Sequence, residues 1–129
     1  MAADRYNPQT IEGKWSRVWA ERDIYRTDAA SAKPKFYCLV MFPYPSGDGL
    51  SVGHLRNYIP ADVVARYMRM RGFEVLHPMG WDAFGLPAEQ DAIDKGLHPA
   101  DTTKRYAANY RRQLTLVGCG YDWDREIDS

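Results

Sequence analysis

An apolar run that ends in a loop rich in proline and glycine constrains this chain more than any other feature of its sequence. Residues 35–42 contain aromatic and β-branched side chains without polar alternation, a pattern typical of a strand buried on both faces of a sheet. The loop that follows, residues 43–49, cannot continue a sheet. Beyond it, apolar residues recur at helical spacing: Leu55, Ile59, Val63, Tyr67 and Met70. This order predicts a phosphate site, because the free N–H groups and the dipole of a helix N terminus point at the loop.

Other patterns predict the elements around this unit. Asn7 followed by Pro8 is typical of a helix start, and we expect Trp15 and Trp19 of that helix to pack in the core. A small-residue connector over 27–35 precedes the first strand, and residues 73–77 form a second short strand. Helical spacing continues across Pro60, where we predict a kink.

The remaining sequence predicts two further helices. One is short and covers 88–95, and the other begins near Asp101 and Thr102 and ends at Gly118. A strand, a helix and a second strand form a βαβ unit, and two parallel strands are only half of a doubly wound sheet. The sequence therefore predicts an α/β fold with an incomplete sheet, in which residues 1–34 are an N-terminal helix and connector and residues 35–129 begin a nucleotide-binding domain.

Composition excludes several classes of protein. Seventeen basic residues balance seventeen acidic ones, so a nucleic-acid contact would need a local cluster of charge. The longest apolar run has seven residues, against the roughly 20 that span a bilayer. The N-terminal residues lack the apolar core of a secretory signal, and we predict a cytoplasmic location. Cys38 and Cys119 have no CxxC spacing, so both are predicted to be free thiols and no metal site is expected.

Two common nucleotide motifs are absent from the loop. No lysine follows Gly53, as the P-loop of kinases and motor ATPases requires. The dinucleotide pattern GxGxxG would place its third glycine at Val52, and no acidic residue follows at the end of the next strand. What stands in the loop instead is Ser51-Val52-Gly53-His54.

The segment FPYPSGDGLSVGHLRNY resembles the strand, loop and "HIGH" signature of class I aminoacyl-tRNA synthetases. The segments YNPQTIEGKW and LHPMGWDAFGLPAEQ resemble the leucyl-tRNA synthetases in particular, and the resemblance covers nearly the whole chain. It implies the first half of a Rossmann-like fold. It also implies ATP-dependent activation of L-leucine to leucyl-adenylate and transfer to tRNA(Leu), with Mg²⁺ neutralising the phosphates of ATP.

The resemblance also implies roles for individual residues. Its ATP site comprises Ser51, Val52, Gly53, His54 and Asn57, of which His54 and Ser51 are catalytic. Gly53 leaves room for the nucleotide against the backbone, and the His54 imidazole donates a hydrogen bond to phosphate oxygens. Ser51 stands where the signature has its first histidine; its hydroxyl is shorter and never cationic.

The leucine pocket needs an apolar cup and a carboxylate that pairs with the ammonium group. The resemblance assigns the cup to Met41, Phe42 and Tyr44 and the carboxylate to Asp82. Both segments follow strands whose carboxyl ends lie at the edge where open α/β folds bind ligands. His77 and Trp81 are predicted to support the loop rather than to contact substrate.

Other interpretations stay open. The chain could begin a related synthetase for valine, isoleucine or methionine, or it could be a non-catalytic module that holds a nucleotide or a partner protein. Members of the family carry a KMSKS-type loop, further strands, an editing site and anticodon-binding helices downstream. We therefore predict a fragment that is inactive alone, which is either a truncated piece of the enzyme or the first piece of a split enzyme that has a second subunit. No bound metal or prosthetic group is expected within it.

Overall fold

A computed structural model describes residues 5–47 and 49–129; residues 1–4 and Asp48, which the predicted loop includes, lie outside the described residues. Within them, two short parallel sheets are surrounded by helices, as the predicted α/β class requires. The helices are α1 (Pro8–Glu21), α2 (Val52–Met70), α3 (Leu86–Lys95) and α4 (Pro99–Val117). The strands are β1 (Lys35–Tyr37), β2 (Glu74–Leu76), β3 (Gly80–Trp81) and β4 (Ile127–Asp128), and a 3₁₀ turn covers Trp123–Arg125.

The predicted parallel pair is confirmed, but its first strand is shorter and more open than predicted. β1 pairs in parallel with β2, with Phe36 opposite Val75. The ladder ends near Cys38, and the chain runs on without strand pairing to the loop. Burial alternates along residues 35–42 instead of covering both faces, and Tyr37 and Leu39 are exposed. The prediction was wrong because an apolar run does not reveal whether both of its faces are covered.

α2 begins where the sequence predicts and runs through Pro60 as one helix. Ser51 is its N-cap residue, and its side chain accepts a hydrogen bond from the His54 N–H. Proline removes one backbone donor but does not divide the helix between Val52 and Met70. The kink at Pro60 stays a prediction.

α4 begins earlier than predicted. Its N-cap residue is His98, whose side chain accepts a hydrogen bond from the Ala100 N–H, and Pro99 occupies the first helical position. Thr102, a predicted cap, is buried inside the helix, and its hydroxyl donates to the Pro99 carbonyl at 2.9 Å. The helix ends at Gly118, which has a φ of 87°, as predicted.

The core lies between α2, α4 and the two sheets. The larger cluster of buried side chains joins the N-terminal half of α2 to α4 and β3, and it includes Tyr58, Trp81, Tyr110 and Leu114. α1 contributes no buried residue, and Trp15 is 44% exposed. The prediction that the Trp15 and Trp19 pair packs in the core was therefore wrong for Trp15; the two rings pack on each other, with centroids 6.5 Å apart.

Candidate active site

A cavity of about 280 Å³ opens where the chain beyond β1 meets the start of α2. It brings together residues predicted from two separate segments. Its lining comprises Met41, Phe42, Pro43, Tyr44, Ser51, Gly53, His54, Asn57 and Tyr58. The predicted apolar cup and most of the predicted ATP residues therefore share one cavity. Val52 does not line it, and its side chain is 83% exposed.

The polar wall of this cavity is a reciprocal capping arrangement between Ser51 and His54. The Ser51 N–H donates to Nδ1 of His54 at 3.0 Å, and the Ser51 hydroxyl lies 2.9 Å from the same nitrogen. The His54 N–H donates to the Ser51 Oγ at 3.4 Å. These contacts satisfy two of the N–H groups that a helix start leaves without partners.

Two tyrosine rings fix the His54 imidazole on its other sides. The Tyr58 ring stacks on it at a centroid distance of 6.1 Å, and the Tyr110 ring meets it edge-on at 6.1 Å. Burial raises the pKa of Tyr58 to about 12, so its hydroxyl stays protonated at neutral pH. The imidazole is therefore held by uncharged neighbours.

Gly53 lines the cavity without being required by the packing of the protein itself. A Cβ built at this position would lie 3.4 Å from the Ser51 Oγ, and no other atom of the described residues comes within 4 Å outside its immediate neighbours in the helix. The φ of Gly53 is not in the left-handed region. An alanine would therefore fit the fold, and the space it would occupy belongs to the cavity.

The apolar wall is only partly covered by the protein. Met41 is 79% exposed and Tyr44 is 51% exposed, whereas Phe42 is half-buried. The Phe42 ring packs against Gly80, where a Cβ would lie 2.7 Å from the Phe42 Cε2 and 2.3 Å from the Ile127 oxygen. The close approach of β3 thus sets the position of one wall and leaves the other two side chains available to a ligand or to more protein.

Asp82 lies beside this wall, although it does not line the cavity. Its N–H donates to the Pro43 carbonyl at 3.0 Å, which places the residue after β3 next to the segment that carries the apolar side chains. Asp82 is half-buried. Within residues 5–47 and 49–129, its carboxylate takes part in no hydrogen bond or ion pair. A cation could therefore bind to it without displacing a protein group.

The loop before α2 is anchored by α4, a connection that the sequence did not reveal. The Tyr110 hydroxyl donates to the Ser46 carbonyl at 2.5 Å, and the Gln113 Oε1 accepts a hydrogen bond from the Leu50 N–H at 2.8 Å. Gly49 allows this approach, because a Cβ there would lie 2.6 Å from the Gln113 Nε2. The predicted apolar face of α4 contained Tyr110, but no pattern pointed to Gln113.

His77 and Trp81 are buried behind the site. The Nδ1 of His77 lies 2.7 Å from the Cys38 carbonyl, and burial lowers the pKa of His77, so the neutral ring donates its Nδ1 proton there. The Trp81 indole donates to Glu126 at 2.6 Å. Their burial fits the predicted supporting role. Cys38 and Cys119 are free thiols, as predicted.

A larger groove of about 650 Å³ lies between α3 and α4. Its lining combines five alanines, Trp81 and Phe84 with five charged residues, and none of the predicted site residues contributes to it. The smaller cavity is the better candidate, because it combines a helix start, an imidazole and an apolar wall. Among the described residues, no group of three or more His, Cys, Asp and Glu could hold a metal ion, and no helix is long and apolar enough to cross a membrane.

Comparison with known proteins agrees with this geometry. The chain is 55% identical to the leucine–tRNA ligase of Protochlamydia amoebophila over 95% of its length, and 57% identical to that of Thermotoga maritima over 95%. It spans about 15% of the length of each relative. The resemblance to leucyl-tRNA synthetases is thus confirmed, for a part of such a protein.

Solved structures with the same fold point the same way. The crystal structure of the ternary complex of Agrobacterium radiobacter K84 agnB2 LeuRS, tRNA and LeuAMS superposes with a TM-score of 0.91 at 44% identity, covering 96% of this chain and 16% of that one. Mycobacterium tuberculosis methionyl-tRNA synthetase in complex with methionyl-adenylate gives 0.68 at 28% identity, covering 73% of this chain and 18% of that one. The family model described as tRNA synthetases class I (M) matches residues 36–125. The chain therefore belongs to the class I tRNA synthetases.

Proposed function

We propose that this chain is the front part of the catalytic domain of a leucine–tRNA ligase. The complete enzyme activates L-leucine with ATP and transfers the leucyl group to tRNA(Leu) in the cytoplasm. The observation that carries the proposal is the single cavity in which Met41, Phe42 and Tyr44 face the start of α2 with Gly53 and His54. Relatives that are named leucine–tRNA ligase share more than half of the aligned residues with this chain, which supports the choice of leucine.

The residues divide the work of adenylate formation. An oxygen of the leucine carboxylate attacks the α-phosphorus of ATP in line, the bond to the β-phosphate oxygen breaks, and pyrophosphate leaves. The cup of apolar side chains surrounds the isobutyl group and excludes water, and the Asp82 carboxylate pairs with the ammonium group. ATP enters as its Mg²⁺ complex, and the metal neutralises phosphate charge.

The start of α2 acts on the phosphates. Gly53 lets the nucleotide approach the backbone, and the helix N terminus and the imidazole of His54 face the charge that develops as pyrophosphate leaves. Val52 and Asn57 complete the nucleotide side through the backbone and the amide. The adenylate is then attacked by a hydroxyl of the terminal ribose of tRNA(Leu), and AMP leaves.

The cavity is small for these substrates. At about 280 Å³ it falls below the roughly 300–1,000 Å³ typical of ligand pockets, and leucine and ATP together need more room. The missing walls would come from the rest of the catalytic domain, on the same chain or on a second subunit. In this proposal residues 1–34 are an N-terminal helix and connector, residues 35–129 begin the catalytic domain, and residues 1–129 alone do not activate leucine.

The experiment is leucine-dependent ATP–pyrophosphate exchange by the complete enzyme and its Asp82→Asn variant. We expect exchange with leucine and little with isoleucine, valine or methionine. The variant should raise the KM for leucine about 100-fold, as the loss of a charge-assisted hydrogen bond of up to about 3 kcal/mol predicts, with the KM for ATP nearly unchanged. Asp94→Asn, on the exposed face of α3, is the matched control.

Three outcomes would contradict the proposal. Exchange that depends on methionine, valine or isoleucine would assign the chain to a sister enzyme. ATP binding without exchange for any amino acid would favour a non-catalytic nucleotide-binding module. An unchanged KM for leucine in Asp82→Asn would remove Asp82 from the leucine site.

A further inference from the structure

We propose that Ser51 is a positioning residue that fixes the tautomer of His54, so that the imidazole presents an Nε2–H to the phosphates. The inference rests on the proposed function for its chemistry. Ser51 stands in place of the first signature histidine, and its task in this inference is to orient His54 rather than to donate to phosphate itself. The task depends on which ring nitrogen is occupied by the protein.

The backbone N–H of Ser51 favours one tautomer. The Ser51 N–H is a donor that cannot accept, and it points at Nδ1 of His54 from 3.0 Å. Nδ1 must therefore carry its lone pair. A neutral imidazole has one N–H and one lone pair, so its proton lies on Nε2.

The hydroxyl of Ser51 strengthens the same assignment. Its oxygen accepts a hydrogen bond from the His54 N–H, which leaves its own proton for another partner. The atom within reach is Nδ1 of His54, at 2.9 Å. The two donors of Ser51 then share the single lone pair of Nδ1, and both favour the same tautomer.

The position of the ring gives this tautomer its consequence. His54 lines the candidate cavity, and Tyr58 and Tyr110 restrict its rotation from two sides. Because Nδ1 is occupied, Nε2–H is the one N–H that the ring offers to a ligand. It donates to a phosphate oxygen as negative charge moves to the leaving pyrophosphate, and the proton stays on the imidazole throughout. The opposite tautomer would direct a lone pair at an anionic oxygen.

The direct test is the ring-¹⁵N spectrum of the complete enzyme labelled in histidine. Subtraction of the spectrum of His54→Gln isolates the His54 signals. At pH 7.5 we expect a pyridine-type Nδ1 and a pyrrole-type Nε2. In Ser51→Ala both nitrogens should move toward averaged values, because one of the two donors is lost, and Ser51→Thr should move them back.

Exchange kinetics separate this role from simple support of the helix. Glycine is nearly as good an N-cap as serine, whereas alanine is poor. If the hydroxyl acts through the imidazole, Ser51→Gly and Ser51→Ala both lower kcat about tenfold while the KM for leucine stays constant, and Ser51→Thr recovers most of the loss. If Ser51 only stabilises the helix end, Ser51→Gly is close to wild type, which would overturn the inference.

A pyrrole-type Nδ1 in the wild-type enzyme would also overturn it. The proposed function can fail separately, because a wild-type enzyme without leucine-dependent exchange would refute that proposal, while the nitrogen spectrum would still decide the tautomer.

Discussion

Polar side chains form a cluster near each end of α2, and the two clusters differ in what surrounds them. Near the C-terminal end, Arg66 forms an ion pair with Asp62 at 2.6 Å, and its guanidinium lies 4.9 Å from the Trp19 ring and 5.1 Å from the Tyr25 ring. The other oxygen of Asp62 accepts a hydrogen bond from the Gly120 N–H at 2.7 Å. Both members of this ion pair therefore have partners within the chain, whereas Nη1 of Arg69, one turn further along the helix, is buried without a hydrogen-bond partner among the described residues.

At the N-terminal end the polar groups form hydrogen bonds mainly with each other. Ser51 and His54 form hydrogen bonds with each other, while His54 and Asn57 line an open cavity. Exposed apolar side chains stand beside them, with Met41 at 79% exposed. Charge alone therefore does not indicate function in this chain. What distinguishes the N-terminal end is the cavity that His54 and Asn57 line, because exposed apolar side chains such as Met70 occur near both ends.

The largest effect should come from breaking the ion pair between Asp62 and Arg66. Asp62→Ala leaves the Arg66 guanidinium without its carboxylate and the Gly120 N–H without its acceptor. Loss of one partner of a buried pair costs about 3–5 kcal/mol. We expect the opening free energy of the α2 amides in the complete enzyme, obtained from hydrogen exchange measured by mass spectrometry, to fall by that amount. The KM values for leucine and ATP should stay unchanged in the folded protein.

Asp124→Ala is the control for this change. Asp124 pairs with Arg26 at 3.6 Å, and both side chains are about two-thirds exposed. Such pairs contribute about 0–1 kcal/mol, so exchange of the amides should hardly change. A rise in the KM for either substrate in Asp62→Ala, without faster exchange, would show that the two ends are not separate in function.

Gly53→Ala, at the N-terminal end of α2, should lower activity without lowering stability. The added methyl group fits the protein and stands at the edge of the cavity, where the proposed function has the nucleotide approach the backbone. Displacement of a substrate by about 1 Å costs on the order of 100-fold in rate. We expect kcat/KM for ATP in pyrophosphate exchange to fall by that factor, while thermal stability holds or rises, because alanine favours a helix over glycine by up to about 1 kcal/mol.

The matched variant is Gly13→Ala in α1, where a Cβ would meet nothing within 4 Å. It should give a similar gain in stability and no loss of exchange activity. If Gly53→Ala were as active as Gly13→Ala, the nucleotide would have to lie elsewhere.

The same contrast separates what sequence could predict from what it could not. The strand, loop and helix of the site follow from local patterns, namely an apolar run, turn residues and apolar side chains at helical spacing, although the strand covers only Lys35–Tyr37. β3 and β4 have two residues each, too few to show any period, so their pairing left no signal. The exposure of Leu39 and Met41 depends on which faces are covered, and a residue type does not record that.

Long-range contacts explain the other omissions. The hydrogen bond from the Leu50 N–H to Gln113 joins residues 63 positions apart. Asp101 and Thr102 are common N-cap residues, but the N-cap of α4 is His98, because Pro99 occupies the first helical position. The candidate site residues were predicted from a family resemblance, whereas Gln113, which holds the loop, was not part of any motif found in the sequence.

A pH-dependent effect of intermediate size is expected behind the site. Burial lowers the pKa of His77 below its ordinary value of 6.5, so the unfolded chain takes up a proton that the folded chain resists. The stabilising contribution is complete above about pH 6.5 and declines as the pH falls toward the folded pKa, by at most about 1.4 kcal/mol per pH unit. The positive charges of Arg66 and Arg69 nearby lower the pKa further, whereas Asp62 and the hydrogen bond to the Cys38 carbonyl oppose the shift.

Hydrogen exchange of the β2 amides between pH 7.5 and 5.5, corrected for the intrinsic rate, measures this contribution. His77→Asn keeps a donor for the Cys38 carbonyl but cannot titrate, so its protection should depend less on pH. His98→Asn, at an exposed helix cap, should keep the dependence of the wild type. Equal pH profiles for wild type and His77→Asn would exclude His77 as the titrating group.

The smallest effect should come from the anchor that links the two regions. Gln113→Ala leaves the Leu50 N–H without its acceptor and removes one of the two hydrogen bonds that join the described part of the loop before α2 to α4. A hydrogen bond of this kind contributes about 1 kcal/mol, or about fivefold in an equilibrium. We expect the KM for ATP to rise by that factor while kcat stays within twofold, because His54 keeps its own partners.

Gln113→Glu retains an acceptor oxygen and should stay closer to wild type than Gln113→Ala. Gln90→Ala removes a glutamine whose side chain donates only to Asp94 on the surface of α3, and it should change neither constant. A fall in kcat equal to the change in KM would mean that the loop anchor also positions His54, and then the open end of α2 would be organised from α4 rather than by Ser51 alone.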